Sequence, residues 1–416
     1  MAIQVQGGRK ASGSLKIQGS KNAVLPLMAA TILTSGTFAI ENCPDISDVY
    51  AMKEVMESLG SDISFENGLL QISTSDIKCV QICQQKVKDI RASVLLMGAC
   101  LARFGRVVIA YPGGCSIGER PIDFHLQAFR AMGVIVEEQE ERLLCYCEKA
   151  LEGAEIALPF PSVGATENAL LAACMAKGIT KIDNAAKEPE VIELVQFLRA
   201  MGAKIKGEGT SCICVEGGSG LHPVSWRLSE DRIAFLTYAM MVAGCNGDVE
   251  FQMTPQYLSK ELWVLQQLGC HCEVRSNSIR VQKNGSIRPL SFIRTGPYPE
   301  YPTDGQSLLL AVVSKAAGIS NIEENVFENR FRVIQQLKQM GANIDFVSNR
   351  ARVTGVTKLH GATVTAPDLR SGAALLIAAT MAEGTSFIQD EKYIFRGYEA
   401  VADNMRKLGL EAYVTI

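Results

Sequence analysis

Hydrophobic and polar positions follow the same order six times along the chain. In each repeat, a helix-length run of small and apolar residues precedes an amphipathic stretch that ends in Leu-Gly or Met-Gly. The glycines of this ending lie about seventy residues apart, and self-similarity at a fixed period predicts a repeat architecture. They are Gly60, Gly133, Gly202, Gly269, Gly341 and Gly409.

Each repeat is predicted to contain a buried helix, a strand, a surface helix and a hairpin. The first run is apolar on every side, which is typical of a helix inside a core. In the second stretch, as in residues 193–201, apolar residues recur at three- and four-residue intervals, and the following glycine suits a left-handed C-cap. Alternation at period two, as in residues 212–215, predicts the strands. The predicted fold class is α/β, with buried helices and sheets that face solvent.

The length of 416 residues exceeds that of one ordinary core, so two domains of three repeats each are expected. Residues 217–220 are rich in glycine and suit a flexible linker near the middle of the chain. Residues 15–18 predict a strand that could close either domain.

The composition excludes several classes of function. The net charge is −3 with acidic and basic residues interleaved, so no nucleic-acid partner is expected. No apolar run is long enough to cross a bilayer and no signal peptide is recognised, so we expect no membrane association and a cytoplasmic location.

The thirteen cysteines should therefore be mostly free thiols. Three pairs separated by one residue read as small hydrophobes on one face of a strand rather than as metal ligands. These pairs are Cys145 with Cys147, Cys212 with Cys214, and Cys270 with Cys272.

Residues 111–121 match nothing in the other five repeats. Three glycines, two prolines and no apolar periodicity predict a long exposed loop, and this loop carries Cys115. Two interpretations stand: a tolerated cytosolic thiol, or a reactive thiol whose acidity is tuned by cations such as Arg120.

Basic residues lie where the buried helices begin. Several helix N-termini directed into one cleft would hold a polyanion in spite of the nearly neutral net charge. Alternatively, neighbouring acids pair with these bases and cap the helices, and for Arg232 beside Asp231 we favour this structural role. The basic residues are Lys21, Arg91, Arg232 and Arg370, with Arg396 on a loop.

Asp304 follows a proline-rich turn and has no basic residue near it in sequence. It is either an N-cap carboxylate or a base that accepts a proton from a substrate hydroxyl. The residues alone leave both interpretations open.

Together these segments resemble the UDP-N-acetylglucosamine 1-carboxyvinyltransferases, a family of enolpyruvyl transferases, over essentially the whole chain. The similarity rests on the following motifs in order: Gly19-Ser20-Lys21-Asn22-Ala23, Ile90-Arg91-Ala92-Ser93, Pro112-Gly113-Gly114-Cys115, Ile117-Gly118, Arg120-Pro121, Ser162-Val163-Gly164-Ala165-Thr166-Glu167-Asn168, Pro302-Thr303-Asp304, Phe327-Glu328-Asn329-Arg330-Phe331, Asp368-Leu369-Arg370 and Arg396-Gly397-Tyr398-Glu399.

The resemblance implies a two-domain inside-out α/β barrel with the active site in the cleft between the domains. Residues 21–228 would form the catalytic domain with the cysteine-bearing lid loop, and residues 1–20 with 229–416 the second domain. The implied reaction moves the enolpyruvyl group of phosphoenolpyruvate to the 3'-hydroxyl of UDP-N-acetylglucosamine and releases phosphate. This reaction is the first committed step of peptidoglycan synthesis. The resemblance implies no metal or organic cofactor.

The resemblance also implies roles for individual residues. Cys115 would be the general acid and the group that fosfomycin alkylates, and Asp304 the base at the 3'-hydroxyl. Lys21, Arg120 and Arg396 would hold phosphate and carboxylate groups. The remaining substrate-binding residues would be Asn22, Arg91, Pro121, Ser162, Val163, Gly164, Val326, Arg330 and Arg370.

Three positions depart from the family pattern and concern the nucleotide and the sugar acceptor. Phe160 with Pro161 replaces a Lys and an aliphatic residue, Ala234 stands in place of Glu, and Phe395 in place of Asp. The alternatives are a shikimate-pathway enolpyruvyl transferase, which would lack the cysteine loop, and a divergent paralogue that binds a UDP-sugar with an altered acceptor or without turnover. An RNA 3'-phosphate cyclase would need a catalytic histidine, and none of the four histidines lies in a suitable constellation.

Overall fold

The computed structural model describes residues 1–82, 91–110, 122–218 and 220–415, with the backbone alone at Arg91. These residues form two compact units. One unit comprises residues 1–18 and 230–415, and the other comprises the described residues between 19 and 229. We call them the outer-chain unit and the inner-chain unit, respectively.

The helices of the described residues alternate between buried and amphipathic along the chain. They are α1 (Lys21–Thr31), α2 (Ser47–Leu59), α3 (Leu96–Phe104), α4 (Asp123–Ala131), α5 (Val163–Ala173), α6 (Pro189–Ala200), α7 (Arg232–Cys245), α8 (Ser259–Gln267), α9 (Thr303–Val313), α10 (Val333–Gln339), α11 (Leu369–Met381) and α12 (Val401–Lys407). Short 3-10 helices cover Arg91–Leu95, Arg330–Arg332 and Glu391–Arg396.

The strands are short and mostly five residues long. They are β1 (Ala2–Gln6), β2 (Ser12–Lys16), β3 (Thr37–Glu41), β4 (Asp62–Glu66), β5 (Leu69–Ser73), β6 (Gln81–Ile82), β7 (Arg106–Ala110), β8 (Ile135–Gln139), β9 (Arg142–Tyr146), β10 (Glu155–Ala157), β11 (Ile179–Asp183), β12 (Lys204–Lys206), β13 (Cys212–Glu216), β14 (Ser225–Arg227), β15 (Asp248–Gln252), β16 (Cys270–Val274), β17 (Ser278–Lys283), β18 (Ile293–Arg294), β19 (Ile319–Glu323), β20 (Asn343–Val347), β21 (Arg350–Thr354), β22 (Thr363–Thr365), β23 (Thr385–Gln389) and β24 (Glu411–Thr415).

Within the described residues, the strands form six four-stranded sheets of one topology. An edge strand runs parallel to its neighbour, and the other two pairings are antiparallel. The orders are β14-β3-β5-β4, β6-β7-β9-β8 and β10-β11-β13-β12 in the inner-chain unit, and β2-β15-β17-β16, β18-β19-β21-β20 and β22-β23-β1-β24 in the outer-chain unit.

Each unit has a hydrophobic core built on three central helices. Residues 233–243 of α7 are buried without interruption, as are residues 305–313 of α9 and 370–381 of α11. Helices α1, α3 and α5 play the same part in the inner-chain unit. The predicted inside-out α/β architecture is therefore confirmed. The six repeat glycines all have positive φ, from 75° to 111°, as their position after a helix requires.

One strand was missed by the sequence analysis, and one local expectation was wrong. Strand β1, which the sequence did not predict, inserts between β23 and β24, with Ile3 opposite Ile388 and Val414. The glycine-rich stretch is not the linker, because the amides of Gly217 and Gly218 donate to Gly178 and Cys174 inside the inner-chain unit. Among the described residues, those from 220 to 229 still belong to the inner-chain unit.

The described cysteines are all free thiols. Burial raises the pKa of Cys100 and of Cys174 to about 12, so these thiols behave as small hydrophobes. Cys212 and Cys214 differ, because Ile213 and Val215 take the core-facing positions of β13 and leave both cysteines on the outer face. None of the described helices has the length and apolar character needed to cross a membrane.

Candidate active site

Asp304 is the second residue of α9 and not its N-cap. The N-cap position is occupied by Pro302, which has no side-chain capping bond. The capping interpretation of Asp304 was therefore wrong. A carboxylate in the first turn is compatible with the helix dipole, but its hydrogen bonds go elsewhere.

Two guanidinium groups hold the Asp304 carboxylate. Arg330 Nη2 lies 2.5 Å from Oδ1, and Arg370 Nη2 lies 2.8 Å from Oδ2. The arginine side chains are 5% and 3% exposed, whereas that of Asp304 is 22% exposed. One negative charge faces two positive ones in this triad, and the Asp231 carboxylate also lies close enough to Arg370 to raise the pKa of its guanidinium.

Arg370 stays protonated in spite of its burial. Burial of its guanidinium is the largest effect and lowers its pKa, but Asp304, Tyr398 and Asp231 together outweigh it, and the pKa of Arg370 is raised above its ordinary value. Its helix, α11, is capped by Asp368, whose side chain accepts a hydrogen bond of 2.9 Å from the amide of Ser371. The expected local pair is thus divided: Asp368 caps the helix and Arg370 binds Asp304.

The same division occurs at α7. The Asp231 side chain accepts from the amides of Ile233 and Ala234 at 2.8 and 2.9 Å, while Arg232 Nη1 lies 2.9 Å from Glu261 Oε1. Arg232 thus forms an ion pair inside its own unit, with Glu261 of α8, whereas the prediction had paired it with its neighbour Asp231.

Thr303 and Glu324 connect the triad to Val326. Arg330 Nε donates to Thr303 Oγ1 at 3.3 Å, and Thr303 Oγ1 donates to the Glu324 carboxylate at 3.0 Å. Glu324 Oε1 also accepts from the amide of Val326 at 2.8 Å. Thr303 belongs to the motif Pro302-Thr303-Asp304 but was assigned no role, and Glu324 was not selected, since the contact between them spans 21 positions in sequence.

Arg396 lies at the end of the 3-10 helix Glu391–Arg396. The next segment is fixed by Gln18, whose side-chain amide donates to the carbonyl of Gly397 at 3.1 Å and accepts from the amide of Glu399 at 2.8 Å. The N-terminal segment therefore supports a predicted site residue of the outer-chain unit.

In the inner-chain unit, Lys21 and Asn22 open α1, which is capped by Ser20. Lys21 Nζ lies 3.1 Å from Asp48 Oδ2, and Asn22 Nδ2 lies 3.5 Å from Glu190 Oε1. Both predicted residues thus have acidic partners that sequence reasoning missed.

Ser162, Val163 and Gly164 form the start of α5. Ser162 is the N-cap and accepts from the amide of Ala165 at 3.4 Å. A side chain at Gly164 would approach the ring of His125, since a Cβ atom there would lie 3.1 Å from its Cε1. The N-terminal turn of a buried helix suits a phosphate group.

The structure brings Asp304, Arg330 and Arg370 into one cluster, with Val326 joined to it through Glu324. Cys115, Arg120, Pro121 and the side chain of Arg91 lie outside the described residues.

Comparison with known proteins identifies the relatives of this chain. The EPSP synthase (3-phosphoshikimate 1-carboxyvinyltransferase) family model matches residues 5–405. UDP-N-acetylglucosamine 1-carboxyvinyltransferase 1 from Halalkalibacterium halodurans is 42% identical over 411 residues, which cover 98% of this chain and 93% of the relative. The chain belongs to the UDP-N-acetylglucosamine 1-carboxyvinyltransferase family. The UDP-N-acetylglucosamine 1-carboxyvinyltransferase of Finegoldia magna is 40% identical and covers 98% of this chain and 97% of its own.

Solved structures share the fold with this member of the UDP-N-acetylglucosamine 1-carboxyvinyltransferase family. The enolpyruvyl transferase NikO from Streptomyces tendae has a TM-score of 0.89 at 23% identity and covers 99% of this chain and 98% of its own. EPSP synthase from Acinetobacter baumannii has a TM-score of 0.78 at 18% identity and covers all of both chains. The resemblance inferred from the motifs is confirmed.

Proposed function

We propose that this protein transfers the enolpyruvyl group of phosphoenolpyruvate to the 3'-hydroxyl of UDP-N-acetylglucosamine and releases phosphate. The observation that carries the proposal is the similarity, over nearly the full length, to relatives that bear the name of this activity. The reaction would begin peptidoglycan precursor synthesis in the cytoplasm, with both substrates as small-molecule partners.

In the proposed mechanism, two groups handle the protons. Asp304 accepts the proton of the 3'-hydroxyl as its oxygen attacks C2 of phosphoenolpyruvate, and Cys115 delivers a proton to the methylene carbon. The resulting tetrahedral intermediate then loses a proton from the new methyl group and expels phosphate, which restores the double bond. The position of Asp304 at the start of α9, partly exposed between two buried arginines, supports this assignment.

The substrates carry carboxylate, phosphate and diphosphate groups, so cations and helix N-termini bind them. Lys21, Arg120 and Arg396 hold the phosphate and carboxylate of the donor and of the intermediate. Arg91, Arg330 and Arg370 add positive charge, and the ion pairs of the last two with Asp304 support this role.

The sugar nucleotide takes the remaining contacts. Asn22 orients the sugar, and the turn of Ser162, Val163 and Gly164 receives the diphosphate. Pro121 and Val326 complete the acceptor site. Residues 21–228 form the domain that carries Cys115, and residues 1–20 with 229–416 form the domain that carries Asp304.

The deciding experiment measures phosphate release by the purified protein with phosphoenolpyruvate and each of two acceptors. We expect release with UDP-N-acetylglucosamine, together with a product whose mass exceeds that of the acceptor by one enolpyruvyl group. We expect none with shikimate 3-phosphate. Binding of UDP-N-acetylglucosamine without phosphate release would refute the proposal and favour a paralogue that only binds.

A further inference from the structure

The hydroxyl group of Tyr398 connects Arg370 to the interior of the outer-chain unit. Tyr398 is 1% exposed, and its Oη lies 3.0 Å from Arg370 Nη1 and 2.8 Å from Thr237 Oγ1. Its ring also lies under the guanidinium of Arg370, whose Cζ is 5.5 Å from the ring centroid. The proposed reaction assigns Tyr398 no step, although it contacts a residue of the Asp304 triad.

The hydrogen bonds that link Arg370, Tyr398 and Thr237 can be assigned one consistent donor-to-acceptor direction. Arg370 can only donate, so Tyr398 Oη accepts from it. The Tyr398 hydrogen then goes to Thr237 Oγ1, because the hydrogen of Thr237 is donated to the carbonyl of Ile233 at 2.8 Å. Each hydroxyl donates once and accepts at least once. A fully satisfied buried network of this kind fixes its members in one geometry.

The phenol keeps its hydrogen throughout the working pH range. Burial raises the pKa of Tyr398, and this effect exceeds the opposite effect of the Arg370 charge and of the hydrogen bond with Thr237. Tyr398 therefore acts as a neutral link that accepts from a cation and donates inward.

The backbone at Tyr398 is fixed as firmly as its side chain. Gln18 binds the residues on either side, through the carbonyl of Gly397 and the amide of Glu399. Arg396 lies two residues before Tyr398. Tyr398 thus connects the segment that contains Arg396 to the Arg370 guanidinium, which binds Asp304.

We propose that Tyr398 is a positioning residue for the transfer reaction. Its hydroxyl holds Nη1 of Arg370, so that Nη2 of the same planar group is aimed at Oδ2 of Asp304. Thr237 in turn holds the hydroxyl. This inference rests on the proposed function for the expected effect on turnover. The position of the Arg370 guanidinium can be observed whether or not the protein has that function.

The test compares Tyr398→Phe with Tyr238→Phe. Tyr238 is a matched control because it is buried on the same helix as Thr237, and its hydroxyl bonds to Asn404 at 3.4 Å instead of to the triad. We expect Tyr398→Phe to lower kcat about tenfold or more, as for loss of one hydrogen bond to a charged group. KM for UDP-N-acetylglucosamine should stay within about twofold. Thr237→Val should shift kcat in the same direction, and Thr237→Ser should restore it.

A crystal structure of Tyr398→Phe separates this inference from the proposed function. We expect the Arg370 guanidinium to leave its position on Asp304 or to occupy two positions. Equal losses of kcat in Tyr398→Phe and Tyr238→Phe would overturn the positioning role. If the wild-type protein releases no phosphate, the proposed function fails, and an unmoved Arg370 in the variant crystal would separately overturn the inference.

Discussion

Lys21 and Asp48 form an ion pair at the start of α1, with Nζ 3.1 Å from Oδ2 and only 4% of the Asp48 side chain exposed. Asp48 is the second residue of α2, so the pair ties the first turns of two helices together. A buried carboxylate in this place limits the positions that the ammonium group can take.

Asp48→Asn should lower kcat/KM for phosphoenolpyruvate about tenfold, because Lys21 loses the partner that orients it. Steady-state phosphate release measures the effect. Glu57→Gln on the same helix is the control, since it removes the partner of Lys53 in an exposed i,i+4 pair and should leave turnover unchanged. Equal kinetics for both variants would show that Asp48 has no orienting role.

Asp304→Asn should bind UDP-N-acetylglucosamine and release phosphate about 100-fold more slowly or worse, because the amide cannot accept the hydroxyl proton. Calorimetry measures binding, and the phosphate assay measures turnover. Asp345→Asn, an exposed change on β20 of the same unit, is the control. Turnover close to that of the wild type would remove the role of base from Asp304.

Cys115→Ser should lower turnover at least about 100-fold, since a hydroxyl group is a much weaker acid than a thiol. Fosfomycin should add its mass to the wild-type protein and not to this variant, as intact-protein mass spectrometry can measure. Cys79→Ser, at an exposed thiol of the same unit, should retain both labelling and turnover. Persistent labelling of the Cys115 variant would assign the reactive thiol to another cysteine.

Phe160→Lys should lower KM for UDP-N-acetylglucosamine about two- to fivefold at low salt, because it restores a cation beside the proposed diphosphate turn. The backbone there is already fixed, since the amide of Ser162 donates to the carbonyl of Phe160 at 2.7 Å. Phe160→Gln supplies the polar control without charge. A gain that survives high salt, or that Gln reproduces, would mean that charge is not the cause.

Glu167 makes the free energy of unfolding decrease as the pH rises. It is fully buried on α5, and burial together with the nearby Glu190 and Glu188 raises its pKa well above the ordinary value. The unfolded chain loses this proton at about pH 4.3, while the folded chain keeps it. The folded state therefore binds more protons above that pH, and its stability decreases until the raised folded pKa is passed.

Glu167→Gln mimics the protonated acid and should remove this part of the pH dependence. Its urea midpoint should match the wild type below the unfolded pKa of about 4.3 and exceed it increasingly as the pH rises above that value. Glu155→Gln, at an exposed position of β10, should follow the wild type at every pH. A parallel course of the Glu167 variant and the wild type would show that Glu167 is ionised in the folded protein.

The sequence predicted the helices well, because helix periodicity and glycine C-caps are local signals. Residues 233–243 are apolar on every side and are buried on every side. Strand β1 was missed because its partners, β23 and β24, lie at the other end of the chain. The outward position of Cys212 was missed because alternation shows that two residues share a face but not which face is buried.

For the candidate site, the sequence likewise predicted some residues but not the contacts between them. The motifs selected Asp304, Arg330 and Arg370 through family resemblance, but their contacts span 26 and 66 positions in sequence, and no local pattern encodes them. Tyr398 belongs to one of the motifs, but its contact with Arg370 spans 28 positions in sequence. Asp48 and Glu324 lie outside the motifs, and their contacts with Lys21 and Thr303 also join residues distant in sequence. Their discovery needed the packed structure.

The insertion of β1 between β23 and β24 sets an order for folding during synthesis on the ribosome. The last sheet of the outer-chain unit needs residues 2–6 and residues 411–415 at once, so it can be completed only after residue 415 has been synthesised. The inner-chain unit requires nothing beyond residue 229 and can fold while the rest of the chain is still being made. Residues 2–6 stay without their strand partners until then, whereas residues 12–16 can pair with β15 once residues 248–252 have been made. Strand β1 is therefore exposed to chaperones and proteases for longer than β2.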